Sequence, residues 1–186
     1  MQTAAPLWGP APDRIARAHI TAFLRWLERE RGLSFADYES LWTWSVTDLE
    51  GFWGALWDFL GIRASRRYDR VLGVRTMLGA EWFVGARLNL VDQVFRHVTE
   101  GRPAIVAGDE TGALREVSWA DLQAHVASVA QALRGLGVAP GDRVVAILPN
   151  VPEAIVAFLA CASVGAIWSV CSPDMGPVAR RRERGP

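Results

Sequence analysis

From Ala154 to Pro173 the chain carries no charged side chain, and Arg180, Arg181, Arg182 and Arg184 follow closely. About twenty uncharged residues with a basic flank is the pattern of a membrane-spanning helix. A span must be one unbroken helix, because each backbone polar group has to be satisfied inside the segment. Gly165 opposes that reading by dividing the run into a helix-length piece and a strand-length piece, Ala166 to Cys171. Asn150-Val-Pro-Glu153 reads as a capping-box start with Pro152 in the first turn. The run is therefore expected to be a buried helix followed by a buried strand, and a membrane-anchored protein is the lesser alternative.

The flanking sequence extends this pattern. Ala139-Pro-Gly-Asp142 is a turn, and Arg143 to Leu148 is a nearly continuous apolar run, as in a strand buried on both faces. Strand, helix and strand at this spacing predict a βαβ unit with a parallel sheet and a right-handed crossover. Upstream, Pro103 to Ala107 and Leu114 to Val117 read as two strands around a turn at Gly108 to Gly112. Ser118-Trp-Ala-Asp121 opens a helix with Leu122, Val126, Val129, Leu133 and Leu136 on one face, followed by Gly137. Asn89 caps another, with Leu90, Val91, Val94, Phe95 and Val98 inward and Gly101 closing it.

The first third is helical and rich in tryptophan. Asp13 to Glu30 has one apolar side at helical spacing, with Gly32 as its stop. Ser34 to Asp37 and Thr47 to Glu50 read as capping boxes for two further helices, the second ending at Gly61. The aromatic stripe is packing material, since large rings supply much buried area per residue. Arg63 to Leu88 reads as irregular, punctuated by Gly73, Gly79 and Gly85.

Bulk properties narrow the partners. The 186 residues are 51% hydrophobic with zero net charge, so a sizeable core is available. Nothing favours nucleic acid, a membrane surface or a strongly charged substrate. Every cationic side chain is arginine, and lysine does not occur. Cys161 and Cys171 lack His or Cys neighbours at metal-ligand spacing and read as core residues in a reducing cytoplasm. Met1 to Pro12 lacks the pattern of a secretory leader. His19, His97 and His125 are dispersed, and none sits beside a nucleophile to activate.

Four stretches together resemble one family. Tyr38-Glu-Ser-Leu-Trp42, Trp44-Ser-Val46 and Asp48-Leu-Glu-Gly-Phe-Trp53 resemble the aromatic N-terminal extension of acetoacetyl-CoA synthetases. Glu81-Trp-Phe-Val-Gly-Ala-Arg-Leu-Asn89 is similar to a Trp-Phe-Pro-Gly-x-x-Leu-Asn segment shared with acetyl-CoA synthetases, with Val84 at the proline position. Val117-Ser-Trp-Ala-Asp-Leu122 and Phe158 to Asp174 resemble the first and second core motifs of the adenylate-forming superfamily. The resemblance runs from about residue 33 to about residue 177. The tryptophan-rich extension and the Ser-Pro-Asp-Met-Gly ending carry the narrower assignment.

The resemblance implies an α/β fold: a helical, aromatic-rich extension over 1–88, the start of the AMP-binding domain with an incomplete βαβ sheet over 89–177, and a solvated, disordered Arg-rich tail over 178–186. It implies an N-terminal portion of an acetoacetate–CoA ligase, which joins acetoacetate to ATP as an acyl-adenylate and then to coenzyme A. The alternatives are an acetyl- or propionyl-CoA synthetase fragment, or a non-catalytic relic or interaction module. The complete family enzyme uses ATP, Mg²⁺ and CoA, bound through a Ser/Thr/Gly-rich loop with a lysine, an acidic ribose motif and a lysine on a mobile C-terminal domain. The chain holds none of these, so no catalytic residue or metal ligand is assigned, and weak binding and inactivity are expected of it alone. Ser172, Pro173 and Asp174 stand where related synthetases wall the pantetheine tunnel of CoA, although Asp174 also suits a helix cap. The arginine run at Arg180 to Arg184 replaces the amphipathic pattern expected there, which points to a frameshift, a gene-model error or a truncated gene.

Overall fold

The computed structural model describes residues 8–174. The expected tail over 178–186 lies outside them. The chain divides into two compact units, Met1–Ala86 and Arg87–Pro186.

In the first unit the order is α1 (Pro12–Ala16), α2 (His19–Arg31), α3 (Tyr38–Thr47), α4 (Leu49–Leu60), β1 (Arg70–Leu72) and β2 (Trp82–Val84). The single helix expected over 13–30 is two helices. Ala18 turns extended between them, and Thr21 Oγ1 donates to the Ile15 carbonyl across the break. Gly32 and Gly61 end α2 and α4 in the left-handed region, as their sequence positions predict. The caps of α3 and α4 are Asp37 and Asp48 rather than Ser34 and Thr47. Asp37 accepts from the Ser40 N–H at 2.8 Å while Ser40 Oγ accepts from the Asp37 N–H at 3.2 Å. Thr47 spends its hydroxyl on the Thr43 carbonyl at 2.7 Å, leaving Asp48 to accept from the Gly51 N–H at 3.0 Å.

The tryptophan-rich stripe is packing in part, since Trp42 and Trp53 remain exposed. Phe23, Leu27, Leu41 and Ala55 form a buried centre, with Trp26, Phe35, Trp44, Phe52 and Phe59 around it. Asp58 on α4 pairs with Arg31 at 2.5 Å and with Arg67 at 2.6 Å, joining three segments. The stretch read as irregular contains the β1–β2 hairpin, with Arg70 opposite Val84 and Leu72 opposite Trp82. Phe83 has φ 49°, a region that bulky residues rarely adopt. Its ring lies 4.7 Å from Trp57 and 5.2 Å from Tyr68, and that packing holds it there.

The second unit contains α5 (Leu90–Phe95), β3 (Ile105–Gly108), β4 (Leu114–Val117), α6 (Trp119–Gly135), β5 (Arg143–Ile147), α7 (Pro152–Val164) and β6 (Ile167–Cys171). β3 and β4 pair antiparallel, and β5 and β6 pair parallel around α7. The βαβ unit is present. Val91, Leu122, Val126, Ala130, Leu159, Ala160 and Val164 form the core between α5, α6 and α7.

Several expectations shift here. α5 ends at Phe95, short of the predicted Val98, which is 45% exposed. β3 starts at Ile105 rather than Pro103, whose missing N–H makes it a poor ladder residue. α7 is capped at Val151 with no side-chain bond, so Asn150 does not cap it; Pro152 at the first turn sets its start. β5 is not buried on both faces, since Val145 is 41% and Ile147 39% exposed. Gly165 ends α7 at φ 86°, which splits the uncharged run as its sequence position predicts. Among the described residues no helix is long and apolar enough to cross a membrane.

Candidate functional site

The candidate residues Ser172, Pro173 and Asp174 follow β6, and what aims them is the anchoring of β6. Gly165 is left-handed and packs closely on Pro140, where an added Cβ would meet Pro140 Cβ at 3.3 Å. Gly141 N–H donates to the Gly165 carbonyl at 2.9 Å, and Ile167 N–H to the Asp142 carbonyl at 2.7 Å. At the far end Leu148 N–H donates to the Cys171 carbonyl at 3.1 Å. Both strands thus end side by side, with Leu148 to Asn150 and Ser172 to Asp174 at their carboxyl ends. In parallel α/β sheets that edge is where ligands bind.

Ser172 Oγ donates to the Asp174 carboxylate, and this bond holds the Asp174 carboxyl below the ordinary carboxylate range. The turn thus presents an exposed anion, which disfavours a phosphate there. The helix that Asp174 would cap lies outside the described residues.

Two clefts in the same unit offer more room. One, about 660 Å³, is lined by Arg102 with Glu100, Glu116 and Asp121. Three carboxylates to one guanidinium is the wrong balance for a nucleotide phosphate. The other, about 450 Å³, lies between β4, α6 and α7. Its cation Arg115 is engaged by Glu153 at 2.9 Å, which holds the Glu153 carboxyl low, with a smaller contribution from His125. Neither cleft includes Ser172, Pro173 or Asp174.

The three histidines fall on separate elements: His19 opens α2, His97 follows α5 and His125 lies on α6. Among the described residues no three His, Cys, Asp or Glu side chains are gathered to hold a metal ion. With no lysine and no glycine-rich cradle, the residues present do not fit ATP·Mg²⁺. The residue that sequence reasoning undervalued is Asn89. Beyond capping α5 through Val91 N–H at 2.9 Å, its amide donates to the Ala162 carbonyl of α7 at 2.9 Å.

Comparison with known proteins agrees with the motifs. Residues 38–94 match the family described as acetyl-coenzyme A synthetase N-terminus, and residues 92–182 match the family described as AMP-binding enzyme. A solved acetoacetyl-CoA synthetase from Streptomyces lividans superposes with a TM-score of 0.87 at 47% identity, over 92% of this chain and 27% of that one. Residues 92–182 belong to the AMP-binding enzymes. An acetoacetyl-coenzyme A synthetase from Rhizobium meliloti is 39% identical over 95% of this chain and 27% of its own length. A malonamoyl-CoA synthetase from Penicillium aethiopicum is 37% identical over 84% of this chain and 23% of its own length. The chain thus spans about a quarter of the curated AMP-binding relatives it matches.

Proposed function

We propose that the chain is the N-terminal portion of an ATP-dependent acetoacetate–CoA ligase, and that alone it does not catalyse the reaction. The observation that carries this reading is the 47% identity and TM-score of 0.87 to an acetoacetyl-CoA synthetase. In the complete reaction acetoacetate attacks the α-phosphate of ATP, pyrophosphate leaves, and the CoA thiol then displaces AMP. The phosphate charge that builds up in the first step calls for preorganised donors and cations. This chain contributes no lysine to them. Its part is to found the sheet, with 1–88 as the aromatic extension and 89–177 as the start of the AMP-binding domain. Ser172, Pro173 and Asp174 form one wall of the pantetheine path. The cytoplasm is its setting, in keeping with two free, buried cysteines.

The acyl group is set elsewhere in the ligase, since a malonamoyl-CoA synthetase is nearly as similar over this stretch. ATP–pyrophosphate exchange with acetoacetate tests the reading. The isolated chain is expected to show no exchange above a protein-free blank, and robust exchange from it alone refutes the proposal.

A further inference from the structure

In the first unit a groove of about 330 Å³ opens between α2, α3 and α4. Phe23 and Leu41, each 5% exposed, line it together with Phe52 and Phe59. Tyr38 and Trp42 line it too, yet stay 67% and 48% exposed, so the aromatic surface continues out to solvent. A concave space of this size, lined by apolar and aromatic side chains with a few polar groups, is the usual form of a small-molecule site. It has room for about ten water-sized groups.

The polar groups of the groove indicate the charge of its ligand. No Asp or Glu is among the lining residues, whereas His19 and Tyr38 are. Each can donate a hydrogen bond, the histidine from a ring nitrogen and the tyrosine from its hydroxyl. Ser45 also lines the groove, but its hydroxyl already donates to the Trp42 carbonyl at 2.7 Å. His19 and Ile20 are the first two residues of α2, whose cap Ala18 makes no side-chain bond and whose first turn holds no acidic residue. The positive end of that helix is thus not offset by its own cap or first turn. We propose that the groove binds an apolar carboxylate of about medium-chain fatty-acid size, its tail on Phe23 and Leu41 and its carboxylate at the His19 and Tyr38 edge. Apolar burial holds the tail, and the donors select the anion over a neutral molecule of the same length. All of these residues lie within the first unit, so the site does not depend on the proposed function.

Isothermal titration of the full chain tests this with octanoate below its micelle-forming range, 1-octanol and acetate. Octanoate is expected to saturate a single site, and acetate not to bind. 1-Octanol is expected to bind about tenfold more weakly, as for loss of one hydrogen bond to a charged group. Trp42→Glu sets a carboxylate on the groove wall and is expected to weaken octanoate by about tenfold or more. His19→Ala is expected to weaken octanoate severalfold and leave 1-octanol unchanged. Met77→Glu adds the same charge at a position of the same unit that is 98% exposed, and should alter neither ligand. Circular dichroism checks that each variant is folded, and His19→Ala, at an exposed position, decides the matter if Trp42→Glu is not. Equal affinity for octanoate and 1-octanol, octanoate affinity unchanged in His19→Ala, equal weakening by Trp42→Glu and Met77→Glu, or no saturable binding at all overturns the proposal.

Discussion

The side-chain amide of Asn89 donates to the carbonyl of Ala162 at 2.9 Å, across 73 residues of sequence. The same side chain accepts from Val91 N–H, so one residue closes the start of α5 and the end of α7. Replacing a capping Asn by Ala costs about 1 kcal/mol, and an orphaned partner adds roughly 1–3 kcal/mol where it stays dry. Asn89→Ala is therefore expected to lower the urea midpoint clearly. Asn89→Asp keeps the cap but turns a carboxylate toward the carbonyl end of α7, where the helix dipole is negative. It should be no better than Ala at neutral pH.

Gly165 stands at φ 86° with Pro140 against it. A side chain there meets both a disfavoured backbone region and a close neighbour. Gly165→Ala is expected to destabilise by about 1–3 kcal/mol. Thermal melting by circular dichroism measures this, and an unchanged midpoint would show that the α7–β6 junction is softer than its geometry.

Trp57 is 7% exposed and packs on Tyr68 and on the strained Phe83. Trp57→Ala removes a large buried ring, at a cost of about 3–5 kcal/mol. Trp57→Phe keeps a ring in place and should retain much of the stability. Denaturant melts of the two variants are expected to rank in that order, and the reverse ranking would discount the three-ring cluster.

Asp37 is held below its ordinary value of 3.8, first by the backbone bond from Ser40 and then by the Ser40 side chain. A carboxyl with a lowered folded-state pKa adds stability above its unfolded value, and that stability is lost as pH falls through the folded one. The α3 cap should therefore weaken with acid below pH 3.8. Asp37→Asn caps without titrating, so its stability curve is expected to be flatter across that acid window. Parallel curves would remove Asp37 from the acid response.

The sequence disclosed what local chemistry decides. Gly32, Gly61 and Gly165 announced helix ends because a left-handed stop favours glycine. The Ala139 to Asp142 turn fixed the start of β5. Caps were misplaced by one to three residues because Ser34, Asp37, Thr47 and Asp48 all have capping side chains, and local hydrogen bonds chose between them: Asp37 with Ser40, and Thr47 with the Thr43 carbonyl. The β1–β2 hairpin was illegible because three-residue strands carry almost no periodicity, and Phe83 gives no sign of its positive φ. Ser172, Pro173 and Asp174 came from resemblance alone, since no spacing rule singles out a turn that lines a ligand path. The second bond of Asn89 was hidden for another reason: its partner is a backbone carbonyl, and any residue type offers one.

The fork at Asp58, gripped by Arg31 and Arg67, bears on alkaline tolerance. Hydrogen bonding to Asp58 holds the Arg67 guanidinium above its ordinary, already strongly basic range. A lysine in either place would begin to surrender its proton near its ordinary pKa of about 10.4, and the tie between α2, α4 and the approach to β1 would slacken. Among the described residues the ion pairs at Asp13, Glu30, Asp58, Asp69 and Glu153 are all made by arginine and lack that weakness. Mild base leaves the positive charges of its arginine side chains in place.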